Sequence, residues 1–291
     1  MLFKSIFLIH NFIIIKIYRI LKTFSSNSLW YYYLMKKIII SSLVIIFSQL
    51  SFFSVYSFED NKSEFGVYFG SKIYEERHPV DNSFFMSQDG WMIGINTNSE
   101  TYEQSTYLGL KGRAAYGQVE YRSAGTGTMS GVPDYQLEYT AYLGIPYENS
   151  NSRVTYFSGL GGRYLLNASG LKQSSTGHSG YDRESRYVYI PFGINFETES
   201  WELRGEYLYF LYGQQTSKLS QVSAIYSDIT NDQEEGSGMK LTAKYYIEDG
   251  MGYEFYMDHW DIADSKLDVS GNFMEPRNTT SETGIRIFWT Y

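Results

Sequence analysis

The residues that come nearest to a catalytic group are Asp258, His259 and Asp261. An imidazole beside a carboxylate can act as a general base toward a hydroxyl or water. On a regular strand Asp258 and His259 point to opposite faces, whereas His259 and Asp261 share one. The other histidines after residue 57, His78 and His178, fall in predicted loops. We therefore predict no catalytic residue, although enzymatic activity is left open.

Metal and cofactor chemistry find little support in the sequence. There is no cysteine, and the three histidines after residue 57 are far apart. A dedicated metal site needs such ligands close together, so none is predicted. The acidic run 228–235 could attract Ca²⁺ weakly, but such runs are more often solvated loop. The glycines of 125–127 and 159–162 do not open a helix after a buried strand, as a phosphate loop would. No cofactor is predicted.

Charged residues recur at alternate positions of several segments, opposite apolar residues. If these segments are strands of a barrel, the charges point to its interior. The predicted lumen charge network consists of Glu138, Arg163, Glu202, Arg204, Glu206, Lys240, Lys244, Glu254 and Arg286. Opposite charges in a narrow lumen should pair, because an unpaired charge away from bulk water is costly. A salt-bridged plug and a narrow polar pore or ligand channel need the same residue types, so both interpretations stay open.

The elements that would position these charges are β-strands. Segments 135–141, 201–207, 239–245 and 284–291 alternate apolar and polar residues with period two. Polar loops rich in Gly, Ser, Asn and Asp separate them. The pattern predicts ten strands at about 64–74, 89–97, 105–123, 134–147, 153–168, 185–197, 201–213, 237–248, 251–262 and 281–291.

The predicted fold is all-β: an antiparallel transmembrane up-and-down β-barrel of about ten strands. A soluble sandwich would also alternate. Three features favour the membrane barrel: long strands, predicted export, and loops that alternate between short (97–104, 148–152, 198–200, 249–250) and long (75–88, 124–133, 170–184, 214–236, 263–279). Segment 105–123 changes the facing of its apolar residues, which implies a bulge or an extra turn. Pro191 interrupts the sixth strand, so eight or twelve strands are alternatives.

The N-terminal part of the chain predicts export. Met35-Lys36-Lys37 precedes an apolar run of about ten residues, and cleavage before Phe58 fits a signal peptide over residues 35–57. Residues 1–34 are interpreted as a start codon placed too early or as an N-terminal extension, an anchor helix being the alternative. Residues 58–291 then form the barrel domain.

Composition sets the environment of that domain. The chain has 29 Tyr among its 291 residues, and tyrosine suits both strands and membrane–water interfaces. The predicted aromatic girdle is Tyr135, Tyr147, Tyr187, Trp201 and Trp289. After residue 57, 18 Lys and Arg face 32 Asp and Glu, a formal charge of −14. So acidic a domain is not expected to bind nucleic acid.

The last strand resembles the terminal signal that the barrel-assembly machinery reads in outer-membrane proteins. Its matching positions are Gly284, Ile287, Trp289 and Tyr291. Residues 187–291 also resemble a set of poorly characterised proteobacterial outer-membrane proteins. The resemblance implies a barrel with outer loops in the outer membrane of a Gram-negative bacterium. Its expected partners are the assembly machinery and outer-membrane lipid.

The omptin proteases are also ten-stranded outer-membrane barrels of similar size. They place an Asp-x-His pair opposite an Asp pair across the outer barrel mouth. Here His259 and Asp261 stand in reversed order, and no Asp-x-Asp lies near the first predicted outer loop. The chain departs from the omptin pattern at both places.

Three functions follow as hypotheses. The first is a structural or surface-interaction protein that presents five loops outward and binds an extracellular ligand through them. The alternative is a small porin or uptake channel, and the second alternative is an outer-membrane hydrolase, either an omptin-like protease or a lipid-modifying enzyme. The predicted loop 214–236 is the longest and is the first place to seek a partner site.

Overall fold

The computed structural model describes residues 60–291, except 104, 248, 249 and 269. These residues belong to the second of two units into which the chain divides, Phe58–Tyr291. The predicted signal peptide at 35–57 and the segment 1–34 lie outside the described residues. No described residue belongs to a helix long and apolar enough to cross a membrane.

The described chain is built from long antiparallel strands, as the period-two pattern predicts. They are β1 (Asp60–Arg77), β2 (Phe84–Glu103), β3 (Thr106–Ser123), β4 (Gly127–Glu148), β5 (Ser152–Asn167), β6 (Arg183–Thr198), β7 (Trp201–Ser217), β8 (Ile229–Gln233), β9 (Gly236–Tyr246), β10 (Met251–Ile262) and β11 (Asn278–Thr290). A short 3₁₀ turn, Leu219–Gln221, precedes β8.

The strands close into a ten-stranded barrel. Each of the ten pairs with its neighbours along the chain, and β1 pairs with β11 to close the ring. β8 is an additional strand outside the ring: it pairs with β7 over residues 213–217, whereas β7 pairs with β9 over 201–209. The predicted all-β barrel and its count of ten are confirmed, and the alternatives of eight and twelve strands are wrong.

The barrel is polar inside and apolar outside. On β1 the side chains of Glu64, Tyr68 and Lys72 are buried in the lumen, while Val67 and Phe69 between them are exposed. A water-soluble barrel would reverse this arrangement, because exposing large apolar side chains to water costs free energy. Alternation with charges inward is typical of strands that face lipid.

Two bulges adjust the strand pairing, besides a register shift between β1 and β2 at Glu76 and Arg77. The bulge predicted within 105–123 lies on the partner strand instead: Ser130 and Gly131 of β4 stand opposite Glu120 of β3, and β3 keeps its alternation. Val119 faces the lumen, where it packs against Met129 and Val132. The lumen is apolar at this level, so an inward apolar side chain is accommodated. A second bulge leaves Leu211 of β7 unpaired opposite Val188 and Tyr189.

Pro191 does not interrupt β6. It pairs in register with Leu208 of β7, and the strand continues on both sides of it. A proline removes one ladder donor, which a strand of 16 residues tolerates.

Several predicted loops are shorter than expected. The first two long loops shrink from 75–88 to 78–83 and from 124–133 to 124–126, and the predicted turn 97–104 is strand as far as Glu103. The strands extend because their flanking residues, among them Glu76, Met86 and Glu100, have buried places inside the barrel. The long connections that remain are 168–182, 218–235 and 263–277, all at the end that we call the long-loop end. The short turns, the start of β1 and the end of β11 lie at the opposite end, which we call the short-turn end.

Aromatic side chains lie on the outer surface toward both ends. Trp201 and Tyr245 pack with ring centroids 4.7 Å apart near the short-turn end, and Tyr147 packs edge-on against Tyr156. Toward the long-loop end Tyr135 packs against Tyr116. Trp289 is also exposed on the outside. Four of the five predicted girdle residues thus face outward, where a membrane interface would place them.

Tyr187 is the exception and corrects the girdle prediction. It is buried in the lumen, with its ring 5.5 Å from Phe210 and 6.1 Å from Trp260. Both alternating sets of β6 are largely apolar, Tyr187, Tyr189 and Pro191 on one face and Val188, Ile190 and Phe192 on the other. The pattern therefore could not show which set faces lipid.

Candidate functional site

Ion pairs cross the lumen between strands that are not neighbours in the sheet. Near the short-turn end Lys62 of β1 lies 2.7 Å from Glu197 of β6. Further along, Arg113 of β3 lies 2.6 Å from Asp258 of β10. Lys72 of β1 and Asp134 of β4 are joined at 2.8 Å. At the long-loop end Arg183 of β6 contacts Glu76 of β1. These bridges divide the interior at successive levels.

The predicted charge network is brought together in pairs. Lys240 contacts Glu138, Arg204 lies 2.7 Å from Glu206, Lys244 lies 3.2 Å from Glu202, and Arg286 lies 2.5 Å from Glu254. The ninth member, Arg163, is placed differently. Its guanidinium lies 5.0 Å from the ring of Trp260, and its Nε and Nη1 have no hydrogen-bond partner.

Sequence reasoning missed several members of the same network. They are Lys62, Glu64, Lys72, Glu76, Glu100, Arg113, Asp134, Arg183, Asp258 and Glu282. A signal was available on β1, where Glu64, Tyr68 and Lys72 alternate with Phe65, Val67 and Phe69. For Arg113 and Asp258 no local pattern shows that they meet, since 145 residues separate them.

The part of the charge network nearest the short-turn end contains several hydrogen bonds per side chain. The ammonium of Lys244 donates to both oxygens of Glu64, at 3.0 and 2.9 Å, and to Glu202 at 3.2 Å. Tyr246 donates to Glu202 at 2.5 Å. Each buried carboxylate thus has a cation or a hydroxyl beside it, which offsets its desolvation.

An apolar layer fills the lumen toward the long-loop end. It consists of Leu165, Tyr187, Tyr189, Leu208, Phe210, Trp260 and Ile262, all buried. The hydroxyl of Tyr189 donates to Glu138 at 2.6 Å and so ties this layer to the charges. The ring of Tyr189 lies against Gly161, where a Cβ would come within 2.2 Å of it. Only glycine leaves room for a ring pressed against the wall.

The charge network encloses a small cavity. A cavity of about 90 Å³, lined by Lys111, Arg113, Glu138, Lys240 and Asp258 among others, lies among the charges. That volume accommodates a few water molecules, and its polar lining would hydrogen-bond them.

A larger cavity of about 440 Å³, which we call the vestibule, lies at the long-loop end. Its floor carries Glu76, Arg183 and Glu275, with the guanidinium of Arg183 donating to both carboxylates. Its walls are mainly apolar: Phe84, Phe85, Met86, Tyr121, Met129, Leu219, Ile229, Phe273 and Met274. The pKa of the loop residue Glu275 is raised to about 7: burial raises it most, Arg183 lowers it, and Glu76 raises it.

Hydrogen bonds hold the loops around the vestibule. The amide of Asn231 donates to the carbonyl oxygen of Phe273 at 3.0 Å. Gln221 and Asp182 bond at 2.9 Å and join the loop 168–182 to the loop 218–235. The vestibule is therefore shaped by contacts within the chain itself.

The residues of the predicted assembly signal divide between the two faces. Ile287, Trp289 and Tyr291 are exposed on the outside. Gly284 pairs with Gly70 of β1, and a Cβ on Gly284 would lie 2.3 Å from the carbonyl oxygen of Phe69. This glycine therefore has a packing role at the closure of the barrel, and its recognition by the assembly machinery remains a prediction.

The structure brings an unpredicted serine to His259. The Nδ1 of His259 on β10 lies 2.9 Å from the Oγ of Ser281 on β11, and the two residues pair in register. Asp261 shares their outward face, but its carboxylate binds Arg277 at 2.9 and 2.6 Å. In the described part of the chain no acidic side chain orients the imidazole. Asp258 faces the lumen, as strand geometry predicts.

Among the described residues, no group of three or more His, Asp and Glu side chains is arranged to hold a metal ion. The acidic run 228–235 instead makes loop contacts. Ser220 donates to Asp228 at 2.6 Å, and Lys266 lies 2.6 Å from Glu234.

A closed antiparallel ring with charges inside and an apolar, aromatic-edged exterior defines a membrane-type β-barrel. No protein-family model and no curated protein matches the sequence. Solved structures that align with the chain are bacterial outer-membrane proteins. One is an outer-membrane channel from Pseudomonas putida, with 10% identity, 79% of this chain and 95% of that chain covered, and a TM-score of 0.36.

Two further alignments are of the same kind. The toluene transporter TodX of Pseudomonas putida aligns at 8% identity over 80% of this chain and 90% of that chain, with a TM-score of 0.30. The outer-membrane phospholipase A of Escherichia coli aligns at 12% identity over 76% and 95%, with a TM-score of 0.25. At these scores the activities of those proteins carry no weight for this chain.

Proposed function

We propose that the chain is an integral outer-membrane barrel with a structural or surface-interaction role, sealed along its axis and presenting its long loops outward. Export through the signal peptide that begins at Met35 would bring it to the outer membrane of a Gram-negative bacterium. One observation carries the proposal: ion pairs bridge the lumen at successive levels from Lys62 to Arg183. An ion entering this lumen would have to displace buried salt bridges.

Single-channel recording in planar bilayers tests the seal. We expect the folded protein to insert without sustained open currents, because ion pairs cross the lumen and the cavity among them is only about 90 Å³. Steady conductance of the unmodified protein would favour the porin alternative and contradict the proposal.

A charge-balanced variant sharpens the experiment. Replacing both members of a crossing pair, Arg113→Ser with Asp258→Ser, enlarges the interior cavity without changing the net charge, so leak currents should appear. The matched control, Lys266→Ser with Glu234→Ser, alters an exposed pair in the loops and should stay silent.

The contact between His259 and Ser281 favours a second candidate, hydrolysis of lipid esters at the outer surface of the barrel. A serine activated by histidine is a recurrent nucleophile. The pair faces outward near the long-loop end, where it would meet lipid directly. The missing acid on His259 ranks this candidate below the first.

A further inference from the structure

The floor of the vestibule carries an excess of negative charge, in addition to the apolar walls above it. At its floor two carboxylates, Glu76 and Glu275, share the single guanidinium of Arg183. Both carboxylates are almost fully buried. The floor therefore holds one negative charge more than Arg183 can balance, in surroundings where charge is poorly screened.

A second, independent feature is an unsatisfied amide. Asn167 lines the vestibule at the end of β5 and is 8% exposed, yet neither its Oδ1 nor its Nδ2 has a hydrogen-bond partner. Leaving such a group without a partner costs about 1–3 kcal/mol. Asn167 pairs in register with Arg183, which places the free amide next to the charged floor.

The walls above the floor suit an apolar body. Phe84, Phe85 and Phe273 line the vestibule and remain about half exposed. Aromatic faces attract cations as well as apolar groups. The volume of about 440 Å³ lies in the range of pockets that enclose small organic molecules.

We propose that the vestibule is a binding site for a small organic cation, a protonated amine on an aromatic or aliphatic body. The ammonium group lies at Glu76 and Glu275, the body lies against Phe84, Phe85 and Phe273, and Asn167 bonds a polar atom of the ligand. An anion is disfavoured because Arg183 is already occupied by two carboxylates. A neutral apolar molecule would leave both the excess charge and the amide uncompensated.

Binding should depend on pH through Glu275. The titratable groups around it are Arg183, Glu76, Tyr74, Tyr181 and Tyr187, while His178 lines the vestibule. Since burial raises the pKa of Glu275 to about 7, acidification protonates this carboxyl and removes the excess charge. Cation binding is therefore expected to be stronger at pH 8 than at pH 5.5.

The test measures binding to the full chain folded in an uncharged maltoside detergent, by calorimetry at pH 8. Tryptamine is the cationic probe, and indole-3-propionate presents the same ring with a negative charge. We expect saturable tryptamine binding, at least tenfold weaker binding of the propionate, and weaker tryptamine binding at pH 5.5. Absence of saturable tryptamine binding, or equal affinity for both probes, would overturn the proposal.

Two substitutions locate the site. Glu275→Gln keeps the size of the side chain and should weaken tryptamine binding at least tenfold at pH 8, whereas Glu234→Gln, a carboxylate in an exposed loop pair, should leave it unchanged. If Glu275→Gln does not fold, Phe85→Ala in the half-exposed wall serves instead and should weaken both probes. Unchanged tryptamine affinity in the folded variant that is used would contradict this location.

Discussion

At the scale of single residues, the face of the strand on which a side chain lies decides whether it contacts the lumen or the outer surface. His259 shows this most directly. The sequence places it on the outward face with Asp261, but its hydrogen-bonded partner is Ser281, which comes from the neighbouring strand. Strand geometry thus predicts the face correctly, whereas the partner depends on the register between β10 and β11.

The hydrolase candidate is tested at this pair. Any phospholipid hydrolysis by the purified chain, assayed in mixed micelles, should be lost in both His259→Ala and Ser281→Ala, because the hydroxyl needs the imidazole as its base. Ser237→Ala removes a serine from the outward face of β9, in register with Asp261, and should retain the activity. Hydrolysis that survives His259→Ala would exclude the candidate.

At the scale of the elements, the strands are held together by side chains that reach across the lumen as well as by backbone pairing. β1 and β4 are not neighbours in the sheet, yet Lys72 and Asp134 join them while both are buried. A pair in this environment differs energetically from one at the surface, because each partner would be an isolated buried charge without the other.

A double-mutant cycle measures this difference. Lys72→Met and Asp134→Asn should each lower the free energy of unfolding by about 3–5 kcal/mol, and the double variant should lose less than the sum. The exposed pair, changed by Lys266→Met and Glu234→Gln, should show a coupling below about 1 kcal/mol. Urea unfolding in lipid vesicles provides the values. Strict additivity at Lys72 and Asp134 would show that the bridge does not connect the strands energetically.

At the scale of the whole molecule, closure of the ring decides what the barrel can do. The first and last strands pair over residues 64–76 and 278–290, so the lumen has no open side. Every strand of the ring has a neighbour on both sides, so the ring has no edge strand, as a spanning barrel requires.

Cross-linking tests both the closure of the ring and the register between β1 and β11. Phe65 of β1 and Trp289 of β11 are in register and both lie on the outer wall, and the chain has no native cysteine. Phe65→Cys with Trp289→Cys should therefore form a disulfide on oxidation, since the paired Cα atoms lie within reach.

The matched control shifts one cysteine along the same strand. Ile285 pairs with Phe69, four residues from Phe65, so Phe65→Cys with Ile285→Cys places the sulfurs about 13 Å apart along the strands. This variant should stay reduced. Electrophoresis of the oxidised proteins distinguishes the two, and equal cross-linking would mean that the register or the closure differs.

The sequence by itself predicted the ten strands of the ring and the inside-out arrangement, with eight or twelve strands left as alternatives and β8 missed. These properties follow from local spacing: period-two alternation decides which side chains face together, and polar turn residues separate the strands. The sequence did not show which side chains face the lumen where both faces of a strand are apolar, as at Tyr187. It also did not show where strands end, because Met86 and Glu100 are buried in strands that extend into the predicted loops.

Only the tertiary structure decided which charges meet and what space they leave. Lys62 and Glu202 are 140 residues apart, and Arg113 and Asp258 are 145 apart. Contacts between such distant partners depend on ring closure and on the register along every intervening strand. The vestibule likewise combines a floor from β1 and β6 with Glu275 from a distant loop. Its excess carboxylate and the unsatisfied amide of Asn167 arise from that assembly, because no local sequence pattern specifies distances across a lumen.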